Sequence, residues 1–397
     1  MKPSRKNLLR SAQAALIAAI LLCGSADYLI DDTFSVRRGE ALPASAVWNL
    51  TPADSSASAA ATANTRYHAA LFGKIPLKSV GVRKLTQTHL CPGGMPFGAK
   101  MFTEGLVVSS LTEVDGANGP CRPAYDAGIR ERDILLKING ESLSSAEKLA
   151  EQIAHGGGEP IEITVQRNGM EMTFTVCPVL SQSEKQYKTG MWIRDNTAGI
   201  GTVTFIDPAS GEFAGLGHGI CDSETGALLP LSRGIIVDVT ISGVQKGESG
   251  VPGELKGYFT SGKRGSLIGN TDAGVYGVFT ALPADITEDK AIPIALKEEI
   301  HDGKATLLCT LDENGIHEYE VMIRKIRNSL DNKNLEVTVT DPALLEKTGG
   351  IVQGMSGSPL IQDGKLLGAV THVLINDPTK GYGIFIENML SAAKKAA

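Results

Sequence analysis

No two cysteines stand in Cys-x-x-Cys spacing, and no basic block occurs beyond the first ten residues. No long helical period runs through the second half of the chain either. Each absence removes a class. The six cysteines, at positions 23, 91, 121, 177, 221 and 309, provide neither zinc-ligand spacing nor a disulfide framework. Lys+Arg 38 against Asp+Glu 44 leaves a net charge of −6, which excludes nucleic acid as an expected partner. Without a G-x-S-x-G elbow between strand and helix, an α/β-hydrolase is disfavoured. Aromatic residues are scarce at 5%, but 45 glycines and a 42% hydrophobic content over 397 residues suit two or three compact domains rich in strands and turns.

What is present begins with Lys2, Arg5, Lys6 and Arg10, followed by an uncharged segment from Ser11 to Ala26 whose most apolar part is Ala14 to Leu22. That pattern predicts a signal peptide or N-terminal membrane anchor over residues 1–26, with everything after Asp27 delivered outside. The run is short for a membrane span, and Gly24-Ser25-Ala26 supplies small residues for processing, so cleaved and uncleaved forms both stay open. Residues 27–89 are expected to be a flexible linker and lead-in. Ala41 to Arg66 is dominated by Ala, Ser, Thr and Pro, which bury little apolar area for the entropy of ordering them.

Residues 90–180 predict a small α+β domain. Met101 to Ser109 is strand-like, Ser144 to His155 is an amphipathic helix, and Ile161 to Gly169 forms a hairpin with Met170 to Val176 across an Asn-Gly turn. Together with Ala127-Gly-Ile-Arg-Glu-Arg-Asp-Ile-Leu-Leu-Lys-Ile-Asn-Gly140, this order resembles a PDZ domain of the bacterial kind. The resemblance implies an extended peptide lying beside the helix, with its carboxylate held by backbone N–H groups at Phe97, Gly98 and Ala99.

From residue 181 to 397, short Val/Ile/Thr/Phe runs alternate with glycine-rich turns, which predicts a β-barrel or a pair of barrels. The stretch Gly349-Gly-Ile-Val-Gln-Gly-Met-Ser-Gly-Ser-Pro-Leu-Ile361 places Ser356 in a tight loop of the kind that exposes a nucleophilic hydroxyl. The backbone N–H groups of Gly354 and Ser356 are the expected oxyanion donors. His218, flanked by glycines at the end of an apolar run, is the candidate base, and His372 is its rival. Asp341, Asp222, Asp238 and Asp272 all stay open as the orienting acid; Asp341 also suits an N-cap, while Asp272 best fits a chymotrypsin-like arrangement with His and Asp in the first barrel.

The ordered set Gly217-His-Gly-Ile220, Asp341-Pro-Ala-Leu-Leu-Glu-Lys-Thr-Gly-Gly350, Gly354-Met-Ser-Gly-Ser-Pro359 and Gly368-Ala-Val-Thr-His-Val-Leu374 resembles the stage IV sporulation protein B peptidases. That resemblance implies a mainly β protein, a PDZ-like domain followed by a chymotrypsin-like double β-barrel serine-peptidase domain at 181–397, with Ser356, His218 and Asp341 catalytic. It also implies an autocleaving, exported endopeptidase, needing no metal or other cofactor of its own, that works between forespore and mother-cell membranes. Its implied partners are a membrane-bound regulator of an intramembrane metalloprotease, which then processes a sigma-factor precursor, and a peptide or self-segment for the PDZ-like domain. A non-enzymatic PDZ adaptor and a hydrolase of small esters are the competing readings.

Overall fold

The computed structural model describes residues 30–45, 47–53, 65–143, 145–167, 169–221, 226, 228–326 and 332–396. The expected signal or anchor over residues 1–26 lies outside them. The linker expected over 27–89 is instead largely a folded unit. Strands β1 (Thr33–Arg37), β2 (Trp48–Pro52), β3 (Thr65–Leu71) and β4 (Ile75–Leu85) form a sheet in the order β1-β4-β3-β2, with β1 parallel to β4. Alternate residues supply its core: Phe34 and Val36, Tyr67 and Ala69, Val80 and Val82. This period-two pattern is short and broken by the Ala/Ser-rich stretch, whose residues 54–64 are outside the described set, so composition hid it. The sheet docks through Arg37, whose guanidinium meets both oxygens of Glu299 at 2.7 Å, and through the Ser35 amide, which donates to Glu298 at 2.9 Å.

The next strands are β5 (His89–Pro92) and β6 (Pro96–Leu111), followed by helix α1 (Pro123–Ala127) and strand β7 (Ile134–Ile138). Helix α2 (Ala146–His155) and the hairpin of β8 (Ile161–Arg167) and β9 (Met170–Val176) come next. Ser145 caps α2 by accepting from the Lys148 amide, and Leu149 and Ile153 form its buried stripe. The chain continues through β10 (Met191–Ile206), β11 (Glu212–Gly215), β12 (Arg233–Gln245), β13 (Glu254–Thr271) and β14 (Gly274–Phe279). Six of these strands close a barrel in the order β6-β12-β13-β14-β11-β10, sealed by β6–β10 pairing from Pro96↔Thr202 to Phe102↔Asn196. Phe97, Met101, Val203, Phe213, Ile236 and Val275 fill it.

Strands β6 and β10 are longer than the barrel needs. Their far halves stay paired with each other, Leu111 opposite Met191 and Val107 opposite Arg194, and β6 then adds to β7 through Leu106↔Leu135. At the bend in β6, Gly105 has φ +83°, and a Cβ there would lie 2.4 Å from the Leu135 carbonyl oxygen. Leu106, Val108, Leu135, Leu149, Ile163 and Val176 make a separate core. The PDZ-like domain is therefore inserted into the first barrel rather than placed before it, and the expected boundary at 180/181 falls within the insertion. Alternation along a strand reports its two faces but not where it changes partners.

Barrel two is closed by β15 (Gly303–Thr310), β16 (Ile316–Lys325), β17 (Leu335–Val339), β18 (Pro359–Gln362), β19 (Lys365–Leu374) and β20 (Asp377–Phe385), in the order β15-β16-β17-β20-β19-β18. Helix α3 (Pro342–Thr348) leads into the Ser356 loop, and α4 (Ile386–Ala396) follows β20. A further core joins the barrels, with Phe205 and Tyr276 from the first meeting Ala369, Ile384 and Met389. The double barrel implied by the family resemblance is the architecture found, with six strands closing each barrel.

Removing residues 96–178 strips the first barrel of Phe97, Ala99 and Met101 and is expected to leave no folded peptidase domain. Joining Phe102 to Asn196, which face each other across β6 and β10, through a short turn is expected to retain both barrels. Circular dichroism and thermal unfolding of the two deletions distinguish these outcomes.

Candidate active site

Ser356 lies in the loop between α3 and β18, where Gly354 and Gly357 both adopt φ +95°. At Gly357 a side chain is also sterically impossible, since a Cβ would sit 2.0 Å from the Thr202 carbonyl oxygen. The loop is gripped from the other barrel by β10. The Thr202 amide donates to the Ser356 carbonyl at 3.0 Å, its hydroxyl to the Gly354 carbonyl at 2.8 Å, and the Thr204 hydroxyl to the Gly357 carbonyl at 2.8 Å. Both threonines are buried. From its own barrel the loop takes a bond from the Gly357 amide to the Val370 carbonyl. No hydrogen bond among the described residues engages the amides of Gly354 and Ser356.

His218 follows β11 through Leu216 and Gly217, both in the left-handed region at φ +67° and +68°. Gly217 is pressed against the second barrel, a Cβ there coming within 2.9 Å of the Thr371 methyl. The loop beyond His218 is held by Asn270 of β13, whose side-chain oxygen accepts from the Ile220 amide and whose nitrogen donates to the carbonyls of Ile220 and Leu229. His218, Ser356 and His372 consequently line one cleft of about 580 Å³ at the barrel seam, with apolar walls from Leu216, Val352 and Val373.

Within this cleft the Ser356 hydroxyl donates to the Thr371 carbonyl at 2.6 Å. Nδ1 of His218 is 2.9 Å from the Gly219 carbonyl. With Nδ1 carrying the proton, Nε2 keeps its lone pair for a substrate or for Ser356. Burial lowers the His218 pKa from its usual value, and the Gly219 bond only partly opposes this. The His372 ring lies 4.8 Å from that of His218, centroid to centroid. Its pKa is pushed down to about 4, first by desolvation and then by the charges of His218 and Lys333, although the residue as a whole is exposed.

The expected link between Asp341 and His218 is not formed. Asp341 is the N-cap of α3, one oxygen accepting from Ala343 and Leu344 amides at 2.9 and 3.1 Å and the other from the Glu320 amide at 3.2 Å. These bonds spend the carboxylate on the backbone of the second barrel, the alternative role its sequence context allowed. Asp238 pairs with Arg264, Asp272 sits in an exposed turn, and Asp222 lies outside the described residues. Among the described residues a backbone carbonyl orients the histidine.

The expected peptide-binding residues also lie elsewhere. Phe97, Gly98 and Ala99 are in the barrel half of β6, paired with Val237 and Ile236 on one side and Gly201 to Gly199 on the other. Phe97 and Ala99 belong to the barrel core, and Ala99 also lines the cleft that holds Ser356 and His218. A groove of about 500 Å³ instead runs between α2, through Leu149 and Ile153, and the segment Thr189 to Ile193 at the start of β10. There, among the described residues, Met191 to Ile193 pair with β6 and with no second strand. Thr202, Thr204 and Asn270 escaped the sequence reading as well, because alternation within a strand does not distinguish a buried threonine from a wall residue.

Among the described residues, no cluster of His, Cys, Asp or Glu is arranged to hold a metal ion, and no helix is long and apolar enough to cross a membrane. The chain is 32% identical over 94 residues to "Probable protease eep" of Enterococcus faecalis, a stretch that covers 24% of this chain and 22% of that protein. It is thus matched over about a fifth of that relative's length. Among solved structures, the HtrA-type protease AlgW with a decapeptide aligns at 15% identity and a TM-score of 0.30, covering 54% of this chain and 55% of the other. A thermostable serine protease, AL20, from an extremophilic microorganism aligns at 10% identity and a TM-score of 0.29, covering 50% and 91%. A PDZ-domain family model matches residues 122–167, and the model for SpoIVB peptidase S55 matches residues 185–390, more than half of the chain. With the double barrel and its serine–histidine cleft in place, the chain belongs to the SpoIVB peptidase S55 family and carries a PDZ-domain match.

Proposed function

We propose that Ser356 is the nucleophile and His218 the base of an exported serine endopeptidase. The reading rests on one observation: the two side chains, drawn from different barrels, share an apolar-walled cleft. In the mechanism, a side-chain rotation takes the Ser356 hydroxyl from the Thr371 carbonyl to Nε2 of His218. His218 accepts its proton as the oxygen attacks the scissile carbonyl, and then delivers that proton to the leaving amine. The amides of Gly354 and Ser356 receive the oxyanion. Water repeats the sequence on the acyl-enzyme to release the second product.

The physiological role follows from the family resemblance together with the N-terminal charge and apolar pattern. The enzyme acts in the space between forespore and mother-cell membranes and cleaves itself near its N-terminal region. It also cleaves a membrane-bound regulator, which frees an intramembrane metalloprotease to process a sigma-factor precursor. The groove along α2 takes an extended peptide, from that regulator or from the chain itself.

Ser356→Ala is expected to abolish proteolysis and labelling by a serine-directed phosphonate with little change in thermal unfolding. Adduct mapping at any other serine, with cleavage retained in the variant, overturns the assignment. His218→Ala is expected to be nearly as damaging, and His372→Ala less so, when turnover of folded variants is compared.

Because burial lowers the His218 pKa, the base stays neutral below the usual histidine pKa of about 6.5. The acid limb of kcat/KM is therefore expected to have its midpoint below that value, with activity lost as pH falls through it. Asp341→Asn is expected to leave this midpoint unmoved, because Asp341 makes no bond to the ring. Asp341→Ala is expected to cost about 0.5–2 kcal/mol of stability through the lost cap, read by denaturant unfolding. A midpoint that shifts in Asp341→Asn would restore the carboxylate to the catalytic set.

A further inference from the structure

At one end of the N-terminal sheet, three apolar side chains stand in solvent around a single turn. Val47 is 48% exposed, Phe72 69% and Ile75 57%. They are neighbours: the Phe72 amide donates to the Val47 carbonyl at 2.9 Å, and Leu71 pairs with Ile75 to close the β3–β4 turn. Phe72 is held at φ +49°, a conformation seldom adopted by a bulky residue, and the intervening Lys74 is exposed. A phenylalanine in such a place contributes nothing to the sheet's core, which Phe34, Leu50 and Tyr67 fill from the other positions. An apolar tip with a cation in its turn has the composition of a segment seated at a lipid headgroup boundary.

The direction of the chain identifies what covers the tip. Strand β1 runs parallel to β4, with Thr33 beside Gly81 and Arg37 beside Leu85. Going backwards from Thr33 therefore leads toward the Ile75 end of β4, and the Lys78 ammonium reaches the Ile30 carbonyl at 3.0 Å. The described chain thus enters the sheet at Ile30 on the side that carries Val47, Phe72 and Ile75, and the apolar run 14–22 precedes that point in sequence. The stretch from Leu22 to Ile30 spans at most roughly 29 Å even when fully extended. The opposite commitment is on β1, whose Ser35 and Arg37 tie the sheet to Glu298 and Glu299.

We infer that the Val47–Phe72–Ile75 tip docks on the surface of the lipid bilayer, with Lys74 at the headgroup level, and so fixes the orientation of the peptidase relative to the membrane. The inference rests on the reading of residues 1–26 as a membrane-directed segment. It goes beyond that reading by assigning a second contact, made by the folded protein.

The test uses the full-length chain mixed with vesicles of phosphatidylcholine and phosphatidylglycerol whose acyl chains are brominated. A tryptophan is added by Phe72→Trp or, as a control on the exposed face of β13, by Tyr258→Trp, and the emission of native Trp48 and Trp192 is subtracted using the unsubstituted chain. Vesicle flotation is recorded in parallel. The expected result is a blue-shifted added emission in Phe72→Trp, quenched to less than half by the brominated lipid, and an unquenched one in Tyr258→Trp. A chain that floats with unquenched emission in Phe72→Trp overturns the tip contact while leaving membrane attachment standing. Equal quenching at both positions overturns it too. A chain that fails to float removes both readings. Emission that shifts with protein concentration in the absence of lipid assigns the tip to a second copy of the chain, and likewise overturns the proposal.

Discussion

The active site depends on the grip of β10 on the serine loop. Thr202 and Thr204, reaching across from the first barrel, satisfy the carbonyls of Gly354, Ser356 and Gly357 in the second. Each such bond contributes about 0.5–1.5 kcal/mol, whereas a buried carbonyl left without its partner costs about 1–3 kcal/mol. Losing the contact would thus cost more than forming it gains. The backbone approach also excludes any side chain at Gly357, so the loop's shape is set by the neighbouring barrel as much as by its own residues. Neither barrel alone contains a site.

A histidine oriented by a carbonyl differs chemically from one oriented by a carboxylate. The Gly219 oxygen fixes the tautomer but carries no full charge that would stabilise an imidazolium in the proposed mechanism. Burial pushes in the same direction, since it too disfavours the charged ring. The resting hydroxyl, turned onto the Thr371 carbonyl, adds a third feature of a site at rest. In the proposed mechanism Ser356 would exchange the Thr371 carbonyl for His218 as its acceptor, a step that an extended substrate competing for the same carbonyl would promote.

Much of this was legible from residues alone, and the gaps have physical causes. Gly354, Ser356 and Gly357 announce a strained loop, and glycine-flanked His218 announces an open turn, because both motifs are local. Period-two alternation made a barrel or a pair of barrels readable, and the choice of two came from the family resemblance. Asp341 was ambiguous because Asp before Pro-Ala-Leu-Leu suits a helix cap as well as an acid, and only its bonds to Ala343, Leu344 and Glu320 decide. The groove beside α2 was not legible from Phe97 to Ala99, because those residues lie in the barrel half of β6, while the segment facing α2, Thr189 to Ile193, comes later in the sequence. Asn270 and the two threonines act across long sequence separations, to which a single sequence is silent. The N-terminal sheet was hidden by the alanine and serine content around it.

The insertion of one domain inside the first strand pairing of a barrel has a bearing on how the chain assembles. Before the insert folds, β6 and β10 are the ends of a long loose loop, and the entropy of bringing them together rises with its length, by about 0.6 kcal/mol per doubling. The insert's own core, built on Leu135, Ile163 and Val176, closes that loop and leaves Leu111 opposite Met191. During synthesis it is also nearly complete before β10, β11 and the strands beyond them exist. The domain thus works as a splint for the register of the barrel, and the last barrel strand it aligns is the one carrying Thr202 and Thr204 to the serine loop.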